Sequence, residues 1–365
     1  MRPTWAVVDL EAIAANVACF DYLIGDAELC AVVKADGYGH GAVPVANAAL
    51  GAGATWLAVA LVEEAAELRR AGIDAPILLL SEPRPAEMDE VADLKGVRPT
   101  VYTPAGVEAF VAVARQGAPV HLKIDTGMHR VGVAPKGSVG LARRIVDNGL
   151  HLEGVFTHFA LADRPYEPMT ELQVQRFDAV LDDLAASGFE PPITHQANTA
   201  GALVRPDSHR SMVRIGVGMY GVEPSPLLRS RCKELGLRAA VRLRSEVSHL
   251  QVVSAGEGVG YSHQWTTSSE THLAIVPIGY ADGIFRGWWD GGEVLIGGRR
   301  RPIRGVVTMD SLIVEVDATV AVGDEVVLLG TQGDECLRAG EVGELLGTIG
   351  YEVLTSLGAR VPRRY

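Results

Sequence analysis

Residues 31–41 read AVVKADGYGHG, so Lys34 follows three apolar residues and precedes a glycine-rich turn. A short continuous apolar run is how a strand covered on both faces reads, and such strands belong to parallel sheets. Lysine is rarely fully buried, so Lys34 is expected where that strand ends. Two readings stay open on these residues alone: a solvated lysine ahead of a turn, or an amine held at a strand's carboxyl end for chemistry. Gly37, Gly39 and Gly41 allow the backbone after it positive φ or a close approach to a ligand, with Tyr38 among them.

Working outward, the same pattern recurs. Strand-length runs are expected at 30–34, 56–60, 77–81, 100–103, 120–125, 155–159, 194–198 and 212–217. Amphipathic stretches lie between them, several closed by a glycine: Gly72, Gly96, Gly117, Gly149 and Gly188. Strand and helix in alternation imply a parallel sheet, and eight such units closing on themselves give an α/β fold of the (β/α)8 TIM-barrel type. An open doubly wound sheet competes, although no G-x-G-x-x-G opens a helix. A further run at 5–10 and a helix at 11–23 come first. Residues 222–237, with two prolines and scattered charge, read as a linker. Beyond them, β-runs at 241–253, 271–278, 293–296, 303–307, 312–316 and 325–329 are separated by Gly and Asp turns. The expected organisation is a barrel domain at 1–235 and a mostly-β domain at 236–365.

The 365 residues are 48% hydrophobic and 21% charged, enough for two cored domains, and the formal net charge is −12. That charge argues against nucleic acid as partner, since phosphate binding needs clustered Lys and Arg. The triplet Arg299, Arg300 and Arg301 is short and reads as a hairpin turn. Four scattered cysteines without C-x-x-C spacing read as reduced thiols. With no apolar run of membrane-spanning length and no signal pattern, the expectation is a cytoplasmic protein without a membrane partner.

Polar residues gather at the expected strand ends: Lys34, Lys123 and Asp125, His158, Asn198 and Thr199, and Arg214 within the eighth strand. In a barrel the active site lies at the carboxyl ends of the strands. Singly, His158 also reads as a core histidine, and Lys123 with Asp125 as a simple ion pair. There is no H-E-x-x-H, no Cys/His pair at ligand spacing and no G-x-S-x-G, so metal hydrolysis and serine acyl transfer lack their usual supports; no metal is expected. A lysine amine can form a Schiff base with a carbonyl, as pyridoxal phosphate enzymes require.

At this point AVVKADGYGHG resembles the cofactor-lysine motif of alanine racemases, which are fold-type III pyridoxal phosphate enzymes. The resemblance spans nearly the whole chain: KIDTGMHRVG from Lys123, FTHFALAD from Phe156, MVRIGVGMYG from Met212, GVGYSHQW from Gly258, PIGYADG from Pro277 and GVVTMD from Gly305 fall in the family's order. It implies that pyridoxal 5'-phosphate is carried on Lys34. Tyr38, His158, Asn198, Thr199, Arg214, Gly216 and Val217 would be cofactor contacts, with hydroxyls and backbone N–H groups on the phosphate and Arg214 at the pyridine nitrogen. Arginine, always charged and donor-only, disfavours a proton on that nitrogen.

The resemblance further implies two-base racemisation of alanine, supplying D-alanine for peptidoglycan. Lys34 and Tyr261 would be the catalytic bases on opposite faces of the α-carbon, Tyr261 coming from the partner subunit of a homodimer with shared sites. A tyrosine serving as base must be lowered from about 10 toward neutrality. Arg130, Met309 and Tyr261 would meet the substrate, Tyr280 and Arg286 would stand at the entrance, and Lys123 would sit beside Arg130, a lysine many members carry as a carbamate. The chain departs from the pattern where Gly260 and Ser262 flank Tyr261, where Thr199 replaces a common serine, and where Gly358 and Ala359 stand in place of a tyrosine, which puts one phosphate contact in doubt. Two alternatives remain: a broader or serine-preferring racemase, and a non-catalytic pyridoxal phosphate carrier, which has neither the β-domain nor the second base.

Overall fold

The computed structural model describes residues 2–365. All eight expected barrel strands form and pair in parallel, but each ends earlier than the apolar runs suggested: Glu28–Val32, Trp56–Val59, Ile77–Leu79, Pro119–Lys123, His151–Phe156, Ile193–His195 and Met212–Ile215, with the fourth split into Val97–Arg98 and Thr100–Val101. The shift has one cause. The last residues of each run leave the ladder to enter the loops above it, and those are the polar ones. The split lies at Pro99, which has no N–H to give the ladder.

The sheet closes, so the open alternative fails. Pro99 accepts from the His121 N–H at 3.0 Å, and the Arg214 N–H reaches Ala197 at 3.1 Å across the seam between the seventh and eighth strands. Gly72, Gly96, Gly117, Gly149 and Gly188 all take positive φ after their helices, as their placement predicts.

The second domain is built on an antiparallel sheet in which Val241–Glu246 pairs with Glu325–Gln332. Residues 2–8 do not behave as barrel. Thr4–Val8 lies antiparallel to Val241–Glu246 and parallel to Arg363–Arg364, so the chain's first strand joins its last domain. We therefore divide the chain into a barrel at about 9–239 and a β-domain of residues 2–8 and 240–365, in place of a single cut at 235. Residues 226–234 are ordered as two short helical turns, with Leu228 and Cys232 buried. The arginine triplet is not a turn. Gly297 and Gly298, both at positive φ, make the turn, and Arg299–Pro302 is the returning strand, opposite Glu293–Ile296. Arg300 is held there by Glu293, Glu335 and Glu341, and Arg301 by Asp317. The run expected at 303–307 contributes only an isolated bridge, Ile303 to Val314. Among the described residues no helix is long and apolar enough to cross a membrane.

Candidate active site

Lys34 stands at the top of the first barrel strand, and the chain after it does something unusual. Ala35, Asp36, Gly37 and Tyr38 all have φ between 52° and 59°, a left-handed helical turn. Three of them carry a Cβ, which costs about 1–2 kcal/mol each. Fixed hydrogen bonds hold the turn: the Asp36 carboxylate accepts from the Ala42 N–H at 2.9 Å, and Glu64 accepts from the Ala35 N–H at 2.6 Å. The other Glu64 oxygen accepts from the N–H groups of Ala60 and Leu61, so this carboxylate ties together the loops above the first two strands. The turn swings Tyr38 back under Lys34, where its ring packs on Tyr220 with centroids 4.8 Å apart.

The cavity above this turn measures about 510 Å³. Lys34, Lys123, Arg130 and Arg214 line it, and among the described residues no carboxylate does. Arg214, 2% exposed, donates to Nδ1 of His195 at 2.6 Å, to the carbonyls of Thr157 at 2.8 Å and Gln196 at 3.2 Å, and to Nδ1 of His158 at 3.1 Å. Its guanidinium and the Lys123 ammonium both lie over the Phe156 ring, at 5.2 and 5.1 Å. Burial, and then Arg130, hold the Lys34 ammonium below its ordinary range. Burial first, and then Arg214, Arg130 and Lys34, bring Lys123 down to about 7. Burial and the same cations keep His158 neutral. A cavity with this much uncompensated positive charge on its lining is a site for an anion.

Glycine keeps part of the cavity clear. Thr199 Oγ1 accepts from the N–H groups of Gly216 and Gly218, and a Cβ on Gly216 would come within 2.7 Å of the Tyr38 hydroxyl. Only glycine leaves that space open. Burial raises the Tyr38 phenol to about 12, so it stays a neutral hydroxyl. Asn198 caps the short helix Thr199–Val204 through its Oδ1 and also lines the cavity.

The structure thus brings Lys34, Tyr38, Lys123, Arg130, His158, Asn198, Thr199, Arg214, Gly216 and Val217 around one cavity. The simple ion pair is overturned. Lys123 donates to the Leu80 carbonyl at 2.9 Å, while Asp125 accepts from the N–H groups of Gly127, Met128 and His129 and so shapes the loop that carries Arg130. Two residues the sequence reading left out also line the cavity: Tyr351 and Thr355, on the helix Gly350–Thr355 of the second domain. Glycine and alanine at 358 and 359 therefore take nothing from it. Tyr261, Tyr280, Arg286 and Met309 do not line this cavity. Tyr261 is 70% exposed, Met309 52% and Tyr280 41%.

The geometry can now be set beside known proteins. Residues 8–224 match the alanine racemase N-terminal domain, and residues 240–365 match the alanine racemase C-terminal domain. The chain belongs to the alanine racemase family. Among its relatives, an alanine racemase of Symbiobacterium thermophilum is 44% identical over 374 residues, covering 100% of this chain and 97% of its own. The crystal structure of the alanine racemase from Bacillus anthracis with bound L-Ala-P superposes with a TM-score of 0.93 at 41% identity, covering 100% of this chain and 95% of that one. The alanine racemase of a D-cycloserine-producing Streptomyces lavendulae gives 0.94 at 38% identity, covering 100% and 97%. The two family domains meet the two halves of the fold, and the motifs of the barrel half, around Lys34, Lys123, His158 and Arg214, fall on the lining of the cavity.

Proposed function

We propose that this protein is a pyridoxal 5'-phosphate-dependent alanine racemase, working as a homodimer with shared sites and supplying D-alanine for peptidoglycan. The observation that carries the reading is the cavity itself: a lysine with a depressed ammonium pKa, three further cations, no lining carboxylate, and a recess that a Cβ at Gly216 would fill. A doubly anionic phosphate and a substrate carboxylate both fit that donor set. When bound, pyridoxal phosphate supplies a conjugated ring that takes up the electron pair left by the α-proton.

The rest is the work of side chains. Lys34 holds the cofactor through its Nζ and, once released, moves the α-proton on one face of the substrate. Its lowered pKa leaves more of the amine free to act as a base near neutrality. Tyr38, Thr199, Tyr351 and the backbone at Gly216 and Val217 hold the phosphate, and Asn198 lines its approach. Arg214 presents its remaining N–H groups to the ring nitrogen. Arg130 takes the substrate carboxylate. Lys123 at about 7 is partly neutral, and a neutral amine can add carbon dioxide; the resulting carbamate would set an anion beside Arg130 in place of a second cation. On the opposite face of the substrate Tyr261 moves the other proton, with Met309 beside it and Tyr280 and Arg286 at the entrance. All four stand outside the chain's own cavity, three of them well exposed, and so serve the partner's.

The test is Lys34→Ala. Borohydride reduction should fix the cofactor irreversibly on the unaltered enzyme and not on the variant, with racemisation falling at least ~10³-fold. Retained racemisation without added amine would refute the assignment.

A further inference from the structure

Arg214 is a buried cation with no carboxylate among its polar contacts; all four are neutral. Its charge balance is found further down the barrel. His195 Nε2 lies 3.0 Å from Nδ1 of His121, and His121 Nε2 lies 3.3 Å from a carboxylate oxygen of Glu153. Arg98 pairs with the same carboxylate at 2.8 Å. We propose that Glu153 is a positioning residue for Arg214, acting through His195 and His121 with both imidazoles held as the Nε2–H tautomer.

The direction of every bond follows from the two ends. Arginine only donates, so Nδ1 of His195 must be the acceptor and its proton must be on Nε2. That proton points at Nδ1 of His121, which must then accept, so the His121 proton is also on Nε2. It points at Glu153, and an ionised carboxylate only accepts. No other assignment satisfies all three contacts. Burial and Arg214 hold His195 far below its ordinary range, and burial lowers His121 as well. The His121 and Arg98 bonds outweigh burial and bring Glu153 down to about 2, so it is ionised.

Three features show that the arrangement is built. First, the pairing of His151–Phe156 with Pro119–Lys123 slips at Glu153: Val120 pairs with Leu152 and His121 with Gly154, leaving Glu153 as a β-bulge. Bulges re-aim side chains, and this one lets the carboxylate meet the inward-facing His121. Secondly, a Cβ on Gly154 would lie 2.4 Å from Nδ1 of His121, the atom that receives the His195 proton. Thirdly, the rings are fixed by stacking. His195 lies flat on Phe156 at 4.5 Å, and Trp56 stands 5.6 Å from His121, with the Arg98 guanidinium over the Trp56 ring at 5.5 Å. Both imidazoles are fully buried.

The consequence lies at the mouth. Glu153 is three residues before Phe156, about 10 Å toward the strand's amino end. Without an acceptor there, His121 is free to put its proton on Nδ1, against His195. His195 then turns its own proton toward Arg214, and the arginine loses the partner that aims it. The inference rests on the reading of Arg214 as the group that faces the cofactor ring.

Two measurements test it. Neutron diffraction from deuterated crystals of the holoenzyme should place deuterium on Nε2 of His195 and of His121, and on neither Nδ1. Deuterium on Nδ1 of either ring overturns the proposal whatever the activity. In solution, Glu153→Leu should lower kcat about 10-fold, as loss of an outer hydrogen-bond partner does elsewhere, with KM for alanine changed less than about twofold. Glu153→Gln, whose amide oxygen still accepts from His121, should keep kcat within about threefold. Equal losses in the two variants, or an unchanged kcat in Glu153→Leu, overturn it. Should Glu153→Leu not fold, the neutron result on the unaltered enzyme still decides. Failure of Lys34 to hold the cofactor would sink the underlying reading instead, and is read separately by borohydride reduction.

Discussion

Lys34 and Tyr261, assigned to opposite faces of one carbon, sit in opposite surroundings. Lys34 lies in a cavity its own chain completes, walled by the barrel and closed on one side by the helix Gly350–Thr355 of the second domain. Tyr261 projects from the second domain, 70% exposed, with the exposed Met309 and Tyr280 in the same domain. The latter two are joined through their backbones, since the Tyr280 N–H donates to Thr308 and the Ala281 N–H to Met309. On the proposed reading, the contrast teaches that one chain finishes the cofactor half of the site and leaves the other half facing outward. Exposed large apolar residues in one region mark an interface. On the proposed reading, a two-fold pair in which each β-domain covers the other's barrel would complete both sites at once.

The largest expected effect breaks the comparison at Tyr261. Tyr261→Phe should slow wash-out of the α-proton from L-alanine by about 10²–10⁴-fold, and from D-alanine far less, followed by NMR in deuterated water. Mixing inactive Tyr261→Phe chains with inactive Lys34→Ala chains should restore activity, because one of the two sites in the mixed dimer keeps both bases. If subunit exchange verified by mass restores nothing, Tyr261 does not serve the partner's site.

A smaller effect is expected within the barrel half. Lys123→Ala should cost about 10-fold or more in activity and regain part of it with added acetate or chloride, if the missing group is an anion beside Arg130. A crystal structure of the fully active enzyme with a plain ammonium at Lys123 would refute the carbamate.

The smallest sharpens the electrostatics of that half. Lys123 titrates near 7 in the folded chain and near its ordinary 10.5 when unfolded, so between those values the unfolded chain binds the extra proton. Stability therefore rises with pH across that window, as the cost of burying the charge disappears. In buffer free of carbon dioxide, cofactor-free Lys123→Met should melt above the unaltered protein at pH 7. The gap in Tm should close toward pH 10. A gap independent of pH would mean that Lys123 keeps its proton throughout.

Much of this was legible beforehand, for identifiable reasons. The strands announce themselves because both faces are buried, so each reads as a block of Val, Ile, Leu and Ala. The glycines after the helices do so because positive φ is costly for other residues. Strand ends were misplaced because apolar content continues past the ladder into the loops, as at Val33, which is buried but outside the strand Glu28–Val32. The triplet Arg299 to Arg301 misled because charge was taken for a turn, whereas its partners Glu293, Glu335, Glu341 and Asp317 come from four places in the sequence. No spacing or charge pattern marks Tyr351 or Thr355 as cavity residues, and the family resemblance pointed to Tyr351 or a neighbour without choosing between them; they arrive there because their helix packs on the turn after Lys34, with the Leu354 carbonyl against Gly39.

The sequence by itself determined the alternation that makes a barrel, the lysine at the end of its first strand and the motifs that place the chain in its family, because these are periodic or contiguous and depend on local physics. Only the tertiary structure decided that residues 4–8 belong with the last domain, that Asp125 serves a loop and not Lys123, and that Glu153 meets His121 at a bulge. Those are matters of pairing across more than 200 residues, of competition among hydrogen-bond partners, and of a one-residue slip in register. Each turns on which groups meet in space, and no spacing along the chain encodes that.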